Sequence, residues 1–559
     1  MGLALAVPAK GQVSVLTSHN DNARTGQNVN ETALTPTNVN TNSFGLLFTR
    51  SVDDAVYAQP LVMTNVNIHD KGTHNLVLVA TVNDSVYAFD ADDPTVTTAY
   101  WQMNFLGPNG VAPKNTAMTG ACGMNYQDFH GNMGIVGTPV IDPASATFYV
   151  VVRTKEFGTN YVQRLCALDV ATGAQRSNSP VFITASYPGS GSGNVGGVIS
   201  FNTQKQNQRA GLALVNGIVY VTWASHCDWG PYHGWLIGYN ATNLQRVAVY
   251  NTAPNGQNAG IWQSGVAPAA DTNGNFYFET GNGTFTTNSS NNLSNNFGDT
   301  VLKLSTSNGL SVVDYFTPYD QASLDAADID LGSGGVVLLP DAVGSVAHPR
   351  LLVAGGKSGK IYVIDRDNLG HFHSGDDSQI VQVVSNAISG AIYGAAAYWN
   401  NFLYFVGTSD TMKAFRIAGG VMSTSAVSQS SGSYGFPGST PVVSANGTNN
   451  GIVWALQNNA WSSGGPAVLH AYNATNVALE LYNSNLAGSR DQPGGAVKFT
   501  VPAVANGKVY VGGINTLSVF GIGSFIATPV ISPSGGTFTN SVTVTLSDST
   551  AGVNIRYTL

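Results

Sequence analysis

Two stretches of the sequence gather residue types that do chemistry. SHCDWGPYHGW, residues 225–235, places His226, Cys227, Asp228 and His233 among three aromatic side chains. Imidazole, thiolate and carboxylate are all transition-metal ligands. The His226–His233 spacing matches no zinc pattern, so a metal here needs ligands from elsewhere, with His130 of NYQDFHGNMG the nearest in kind. Read as a surface, Trp229, Tyr232 and Trp235 offer flat apolar faces with polar tips, as a sugar pocket requires. Read structurally, the stretch is an ordered loop capping a strand pair.

The second stretch is YFETGNGTF, residues 277–285, where Glu279 stands just before Gly281-Asn282-Gly283. Asp299 follows across the polar insert TTNSSNNLSNNFGDT. A carboxylate there is a candidate general base if a substrate proton comes within hydrogen-bond reach. Asp84 in DSVYAFD and Asp410 in DTMKAFR share its internal position, so Asp299 also reads as turn chemistry, accepting local N–H groups. Asn282 between two glycines reads as a turn residue with positive φ. Lys357 of GGKSGK is a cation in a glycine-rich turn, and Trp262 of GIWQSGVAP is either core or the floor of a ligand site.

What positions these residues is a repeat. Short apolar strands open at Gln59, Thr138, Ala210, Val266, Gly335, Ala395, Thr440 and Val501, about 63 residues apart on average. Matching strands close at Asp90, Asp169, Asn240, Ser305, Asp365, Arg416, Asn473 and Gly521. Their alternation marks half-buried strands, and helical periodicity is almost absent. Eight small sheets arranged radially bury both their faces, which predicts an all-β, eight-bladed β-propeller over residues 13–523. The segment SVLTSHNDNARTGQN is expected to supply a strand closing the ring. Residues 524–559 change texture and read as the start of a β-sandwich. The segments before the opening strands should converge on the axis, carrying Tyr57, Gln59, Arg209, Trp262, Gln263, Tyr393, Phe436 and Lys498.

Composition narrows the partners. The chain has 559 residues and 64 glycines, only 10% charged residues and a net charge of −8, which argues against nucleic acid as a partner. No uninterrupted apolar run approaches the ~18 residues of a membrane span. Residues 1–12 read as the remnant of a leader, and the Asn/Thr/Ser-rich surface suits a secreted or periplasmic protein. Cys122, Cys166 and Cys227 permit at most one disulfide, with the pairing open.

The repeats resemble those of the quinoprotein (PQQ-dependent) alcohol dehydrogenases, which are eight-bladed propellers. The likeness is clearest at KSGKIYVIDRDNLG, where Lys357 would contact the quinone, and at WQMN, where Trp101 would dock one blade on the next. GIWQSGVAP is similar to the family's segment whose tryptophan lies beneath the quinone, which implies cofactor contacts by Trp262 and Gln263. TGNGTF resembles its calcium-binding turn, which implies Asn282 and, from the 225–235 loop, Asp228 as calcium ligands and Asp299 as base. Where that family has two adjacent cysteines over the quinone, this chain has Ala121-Cys122-Gly123. The segment ATPVISPSGGTFTNSVTVTL resembles the C-terminal module of chitobiases and β-hexosaminidases.

Three functions are therefore expected. The first, weighted by the missing cysteine pair, is an exported cofactor-free propeller that binds a glycan or a partner protein, with Tyr57, Gln59, Trp229, Tyr232, Tyr393 and Lys498 forming its pocket. The alternative is a quinoprotein-like oxidoreductase that oxidises an alcohol or sugar with PQQ and calcium. The second alternative is a metal-dependent carbohydrate hydrolase or lyase built on His226, His233 and His130.

Overall fold

The computed structural model describes residues 12–287, 295–525, 530–548 and 554–558. The leader expectation at residues 1–12 falls outside them except for residue 12, as do residues 288–294 of the polar insert.

All eight opening segments become inner strands, beginning with Leu61–Ile68, Val140–Asp142, Ala213–Val215 and Ala269–Ala270. Val337–Leu338, Ala397–Trp399, Val442–Asn446 and Ala503–Ala505 complete the ring. Each pairs antiparallel with a second strand, and each second strand with a third, to give eight blades. The eighth blade closes the ring with strand Phe44–Ser51, which pairs antiparallel with Thr516–Ile522. That strand corrects the expectation for SVLTSHNDNARTGQN. FGLLFTRS has the apolar spacing of a fourth strand, whereas of residues 14–28 only Gln27–Asn28 form a strand, a short one that pairs parallel with Val443 and Ser444 of the seventh blade.

Residues 15–28 do something else. They run past the inner strand of every blade in chain order. Backbone bonds join Val15 to Val62, Leu16 to Ile141, Asn22 to Ala270 and Ala23 to Leu338, then Thr25 to Tyr398 and Gly26 to Val443. The Asn22 and Asn28 side-chain amides donate to Leu214 O and Val504 O, which completes the third and eighth blades. At its centre Arg24 is fully buried. Nε donates to Pro268 O at 3.0 Å, and Nη1 to Thr17 Oγ1, Ser18 O and Asp21 O at 2.8–2.9 Å. Burial pulls this guanidinium down to about 10, so it stays charged at neutral pH. His19 meets Arg24 O and Pro441 O through its two ring nitrogens. Gly26 has φ +69°, and a Cβ there would lie 2.4 Å from that imidazole.

The blades are docked by repeated contacts that the sequence pattern carries. The Asp or Asn ending a third strand folds into a turn: Asp90, Asp169, Asn240 and Asn473 accept from backbone N–H groups two or three residues on. The carbonyl beside that turn then receives a tyrosine hydroxyl from the previous blade: Tyr149 to Ala241, Tyr404 to Ala474, Tyr510 to Ala91. Trp101 donates to Val170 O at 2.8 Å, and a Cβ at Gly173 would strike its ring. Beyond the propeller, the described residues include one two-stranded pair, Val530–Ser532 with Thr545–Ser547.

Replacing Arg24 by Met keeps the bulk but strips donors from four oxygens inside the ring. Hydrogen bonds to a buried charged group are worth roughly 1.5–3 kcal/mol each and are not additive, so a loss of about 3 kcal/mol or more is expected. Urea unfolding should show this as a lower midpoint; an unchanged midpoint would mean that the segment is not part of the cooperative unit.

Candidate functional site

In an antiparallel pair the start of the inner strand and the end of the second strand lie at the same end. Those two sets of segments meet in one cavity of about 210 Å³. The lead-in segments supply Arg209, Trp262, Asp328, Asp330, Tyr393, Phe436, Lys498 and Phe499, and the second-strand ends supply Cys227, Asp228, Gly281 and Lys357. Asp128 and Asn207 complete the polar lining.

An aromatic arc runs around this cavity. Trp262 is half-buried with its ring 6.1 Å from Tyr393, which lies 5.3 Å from Phe436 and 6.0 Å from Phe499. Three cations and four carboxylates share the space. Lys357 Nζ lies 2.5 Å from Asp330 and 2.8 Å from Asp328, and these carboxylates hold its ammonium above the ordinary lysine range despite burial. Lys498 Nζ lies 3.0 Å from Asp128 and 4.2 Å from the Trp461 ring. Asp228 accepts from the Tyr232 hydroxyl at 2.5 Å. Loss of water pushes its carboxyl up to about 6, with the charges of Asp330 and Asp328 adding to the rise and Lys357 opposing it.

Several residues in and next to the cavity sit in the left-handed backbone region that side chains usually avoid: Cys227, Asp228, Asp328 and Phe499 in its lining, and Cys122, Gln263 and Ser264 beside those. Such conformations persist where surrounding structure dictates them, and they cluster at functional sites. One such constraint is covalent. Cys122 and Cys227 form a disulfide across 105 residues, tying the 115–131 loop to the cavity rim. Cys166 is a buried free thiol.

The TGN turn is built differently from the sequence expectation. None of Gly281, Asn282 and Gly283 takes a positive φ. Glycine is required here by close approach instead: a Cβ on Gly281 would lie 2.6 Å from Asp330 Oδ1, and one on Gly283 would lie 2.4 Å from Ala259 N. Asn282 donates its backbone N–H to Asp330 at 2.6 Å and its side-chain amide to Asp328 at 2.8 Å, while its Oδ1 is buried without a partner.

Of the residues singled out from sequence, Asp228, Trp262, Lys357, Tyr232, Tyr393 and Lys498 line the cavity, and Asn282 grips two of its carboxylates. Gln263 lies behind Trp262, bonded to Glu279 N and Val266 O. Asp299 is away from the cavity lining, fully buried, and accepts from Leu331 N at 3.1 Å and from Gln321 at 3.3 Å. Asp84 does the same toward Arg153 N, so this repeated acid ties adjacent blades. Glu279 is also buried, bonded to Gly355 N, and burial holds its carboxyl well above the usual range.

The histidines do not converge. His226 is fully buried between Arg153 and Tyr126, at 2.6 and 2.9 Å, and burial with the Arg153 charge drives it well below its ordinary range. Both nitrogens of His233 face backbone carbonyls, of Ala253 and Ser192, and His130 Nε2 meets Trp461 O. Among the described residues no three or more His, Cys, Asp or Glu are grouped to hold a metal. Tyr57 is buried against Phe129, its hydroxyl accepting from His130 N. Gln59 spans His19 and Pro502 in the axial core, and Trp229 packs on Gly120 beneath Lys205.

Asp328 and Asp330, in AADIDLGSGG, are the residues that sequence reasoning missed. The signal was their position: like Arg209 and Trp262 they immediately precede an opening strand.

No protein-family model matches the sequence, and no curated protein matches it. Solved structures do match. One is the quinohemoprotein alcohol dehydrogenase ADHIIG from Pseudomonas putida HK5, at 13% identity over 92% of this chain and 80% of that one, with TM-score 0.58. The quinohemoprotein alcohol dehydrogenase from Comamonas testosteroni gives 14% identity, 96% and 84% coverage, and TM-score 0.58. A europium-containing methanol dehydrogenase gives 13% identity, 92% and 98% coverage, and TM-score 0.56. These likenesses establish the fold.

Asp228 yields a pH test. Its raised pKa means that the ligand-free fold holds a proton which the unfolded chain releases near pH 4. The stability this group contributes is present below about pH 4 and is lost as pH rises to about 6. Melting temperatures of wild type and Asp228→Asn, measured from pH 4 to 8, should diverge in favour of the variant across that interval and run parallel above it. A constant difference would contradict the shift.

Proposed function

We propose that the protein is a quinoprotein-like oxidoreductase that oxidises an alcohol or sugar hydroxyl at the axial cavity. The observation that carries this is the convergence of Trp262, Asp228, Asp330 and Lys357 on one site, with Asn282 fastened to the same carboxylates. The residues present suit PQQ, a planar tricarboxylate, together with a divalent cation. A half-buried indole offers a stacking face, Lys357 brings a cation for a carboxylate, and Asn282 Oδ1 is a buried oxygen without a partner beside acidic side chains.

In that role Trp262 and Lys357 would hold the quinone, and Asp228 and Asn282 would hold calcium. When bound, the quinone supplies a two-electron acceptor for hydride from the alcohol carbon. The chain's own part is to position the hydroxyl and take its proton. Asp330 and Asp228 are among the four carboxylates that border the cavity, whereas Asp299 is spent on Leu331 and Gln321. The aromatic arc limits water around the reacting groups.

One observation favours a second reading, a cofactor-free module for a glycan or partner protein. The disulfide at this rim joins residues 105 apart rather than neighbours, so the quinone-covering cysteine pair of the resembled family is absent. Glycan binding that survives EDTA would favour this reading.

The two readings separate on cofactor. Protein treated with EDTA and then given PQQ and Ca²⁺ should gain thermal stability by mass action and shift the quinone absorbance; no change at high ligand concentration would sink the oxidoreductase. Trp262→Ala should weaken PQQ binding by roughly fivefold or more, from stacking worth about 1 kcal/mol or more, while the ligand-free melting temperature moves little. A loss of several kcal/mol in the ligand-free protein would instead assign Trp262 to packing.

A further inference from the structure

The three cations of the cavity are not compensated alike. Lys357 has Asp328 and Asp330, and Lys498 has Asp128. Arg209 has no such partner. It is 5% exposed, Nη2 is buried with no partner, and its guanidinium makes no hydrogen bond to the protein among the described residues. Two rings flank it instead: Cζ lies 4.3 Å from the Phe499 centroid and 5.2 Å from that of Phe129.

Ring faces answer the charge of a guanidinium, but its N–H donors lie in its own plane and stay unanswered. A buried charge in that state is costly unless something arrives to accept from it. Arg24 shows the contrast within the same chain: its Nη2 is also without a partner, but its Nε and Nη1 donate to four protein oxygens, whereas Arg209 donates to none among the described residues. Phe499, one of the flanking rings, is held at φ +67°, a conformation uncommon for a bulky side chain. Its neighbour Lys498, 3% exposed, brings a second positive charge to the same cavity.

We infer that Arg209, with Lys498 beside it, receives a carboxylate carried by the substrate, so that the alcohol oxidised here is a hydroxy acid or an acidic sugar. This rests on the oxidoreductase reading only in calling the ligand a substrate; carboxylate binding at Arg209 stands apart from it. The planar fork of Arg209 matches a carboxylate, and the flanking rings suit a ligand with an apolar or ring face. A phosphate presents the same oxyanion chemistry, and the experiment distinguishes the two.

The test uses EDTA-treated full-length protein without cofactor, with binding of benzoate, benzyl alcohol and inorganic phosphate followed by calorimetry and thermal shift. Benzoate should bind at least tenfold more tightly than benzyl alcohol. Arg209→Gln should remove that preference, and Arg209→Lys should keep part of it. The ligand-free melting temperature of Arg209→Gln should not fall, because the substitution deletes an unpartnered charge; the wild-type comparison of benzoate with benzyl alcohol needs no variant. Equal binding of acid and alcohol would overturn the assignment, and phosphate binding more tightly than benzoate would overturn the carboxylate class. Displacement of benzoate by PQQ would move Arg209 to the cofactor and overturn its assignment to substrate. Benzoate binding in a protein that ignores PQQ and Ca²⁺ would uphold the carboxylate site while removing the oxidoreductase reading.

Discussion

Everything in this propeller depends on how its axis is filled. Eight inner strands each turn one side of their backbone inward, and buried N–H and C=O groups without partners would cost more than the fold can lose. Residues 15–28 meet that need by visiting each inner strand in turn. The segment is itself held open by a buried arginine whose Nε and Nη1 donate to oxygens of its own curve and of the fourth blade. An irregular strap therefore does what a regular strand could not: it changes direction at each blade. His19, Asn20 and Arg24 take positive φ within it, the local conformational cost of that turning path.

The cavity is organised around the same geometry. Because every blade presents the start of its inner strand and the end of its second strand together, short segments from many blades reach one place without long loops. The polar groups gathered there are fixed from outside. Asp330 is gripped by Asn282 N–H and Lys357, and Tyr232 holds Asp228. Behind them stand buried carboxyls that never reach the cavity, Asp299 and Glu279, which join neighbouring blades by accepting backbone N–H groups. Acid residues here thus divide into those that fasten and those that face the ligand space.

Much of this was legible in the sequence, for a definite reason. The inner strands follow a repeated apolar pattern, and the Asp or Asn that ends a third strand announces its own turn. The pattern located all eight blades, and position before an opening strand singled out Arg209, Trp262, Tyr393, Phe436 and Lys498. It failed where a residue's role depends on what folds against it. Asp299 looked reactive in one dimension and lies in a blade seam in three, and His226 faces Arg153 from another blade. The glycines of TGN looked like turn residues but make room for Asp330 and Ala259. Asp328 and Asp330 lay hidden in a short stretch with no strand pattern of its own, although it occupies the same lead-in position.

The eighth blade has an implication for how the chain reaches this state. Its outer strand, Phe44–Ser51, precedes every blade, and its partner Thr516–Ile522 follows seven of them. The axial strap has the same property, since residues 15–28 contact strands from 61 to 505. Contacts of such long sequence separation incur the closure entropy of nearly the whole chain before they return any stabilisation, and high contact order slows folding. During synthesis the earliest-made residues must wait for the last, with an edge strand and a polar strap unpaired in the interval. Closure of the ring therefore requires two segments about 470 residues apart to meet, a contact that no accumulation of neighbouring blades supplies.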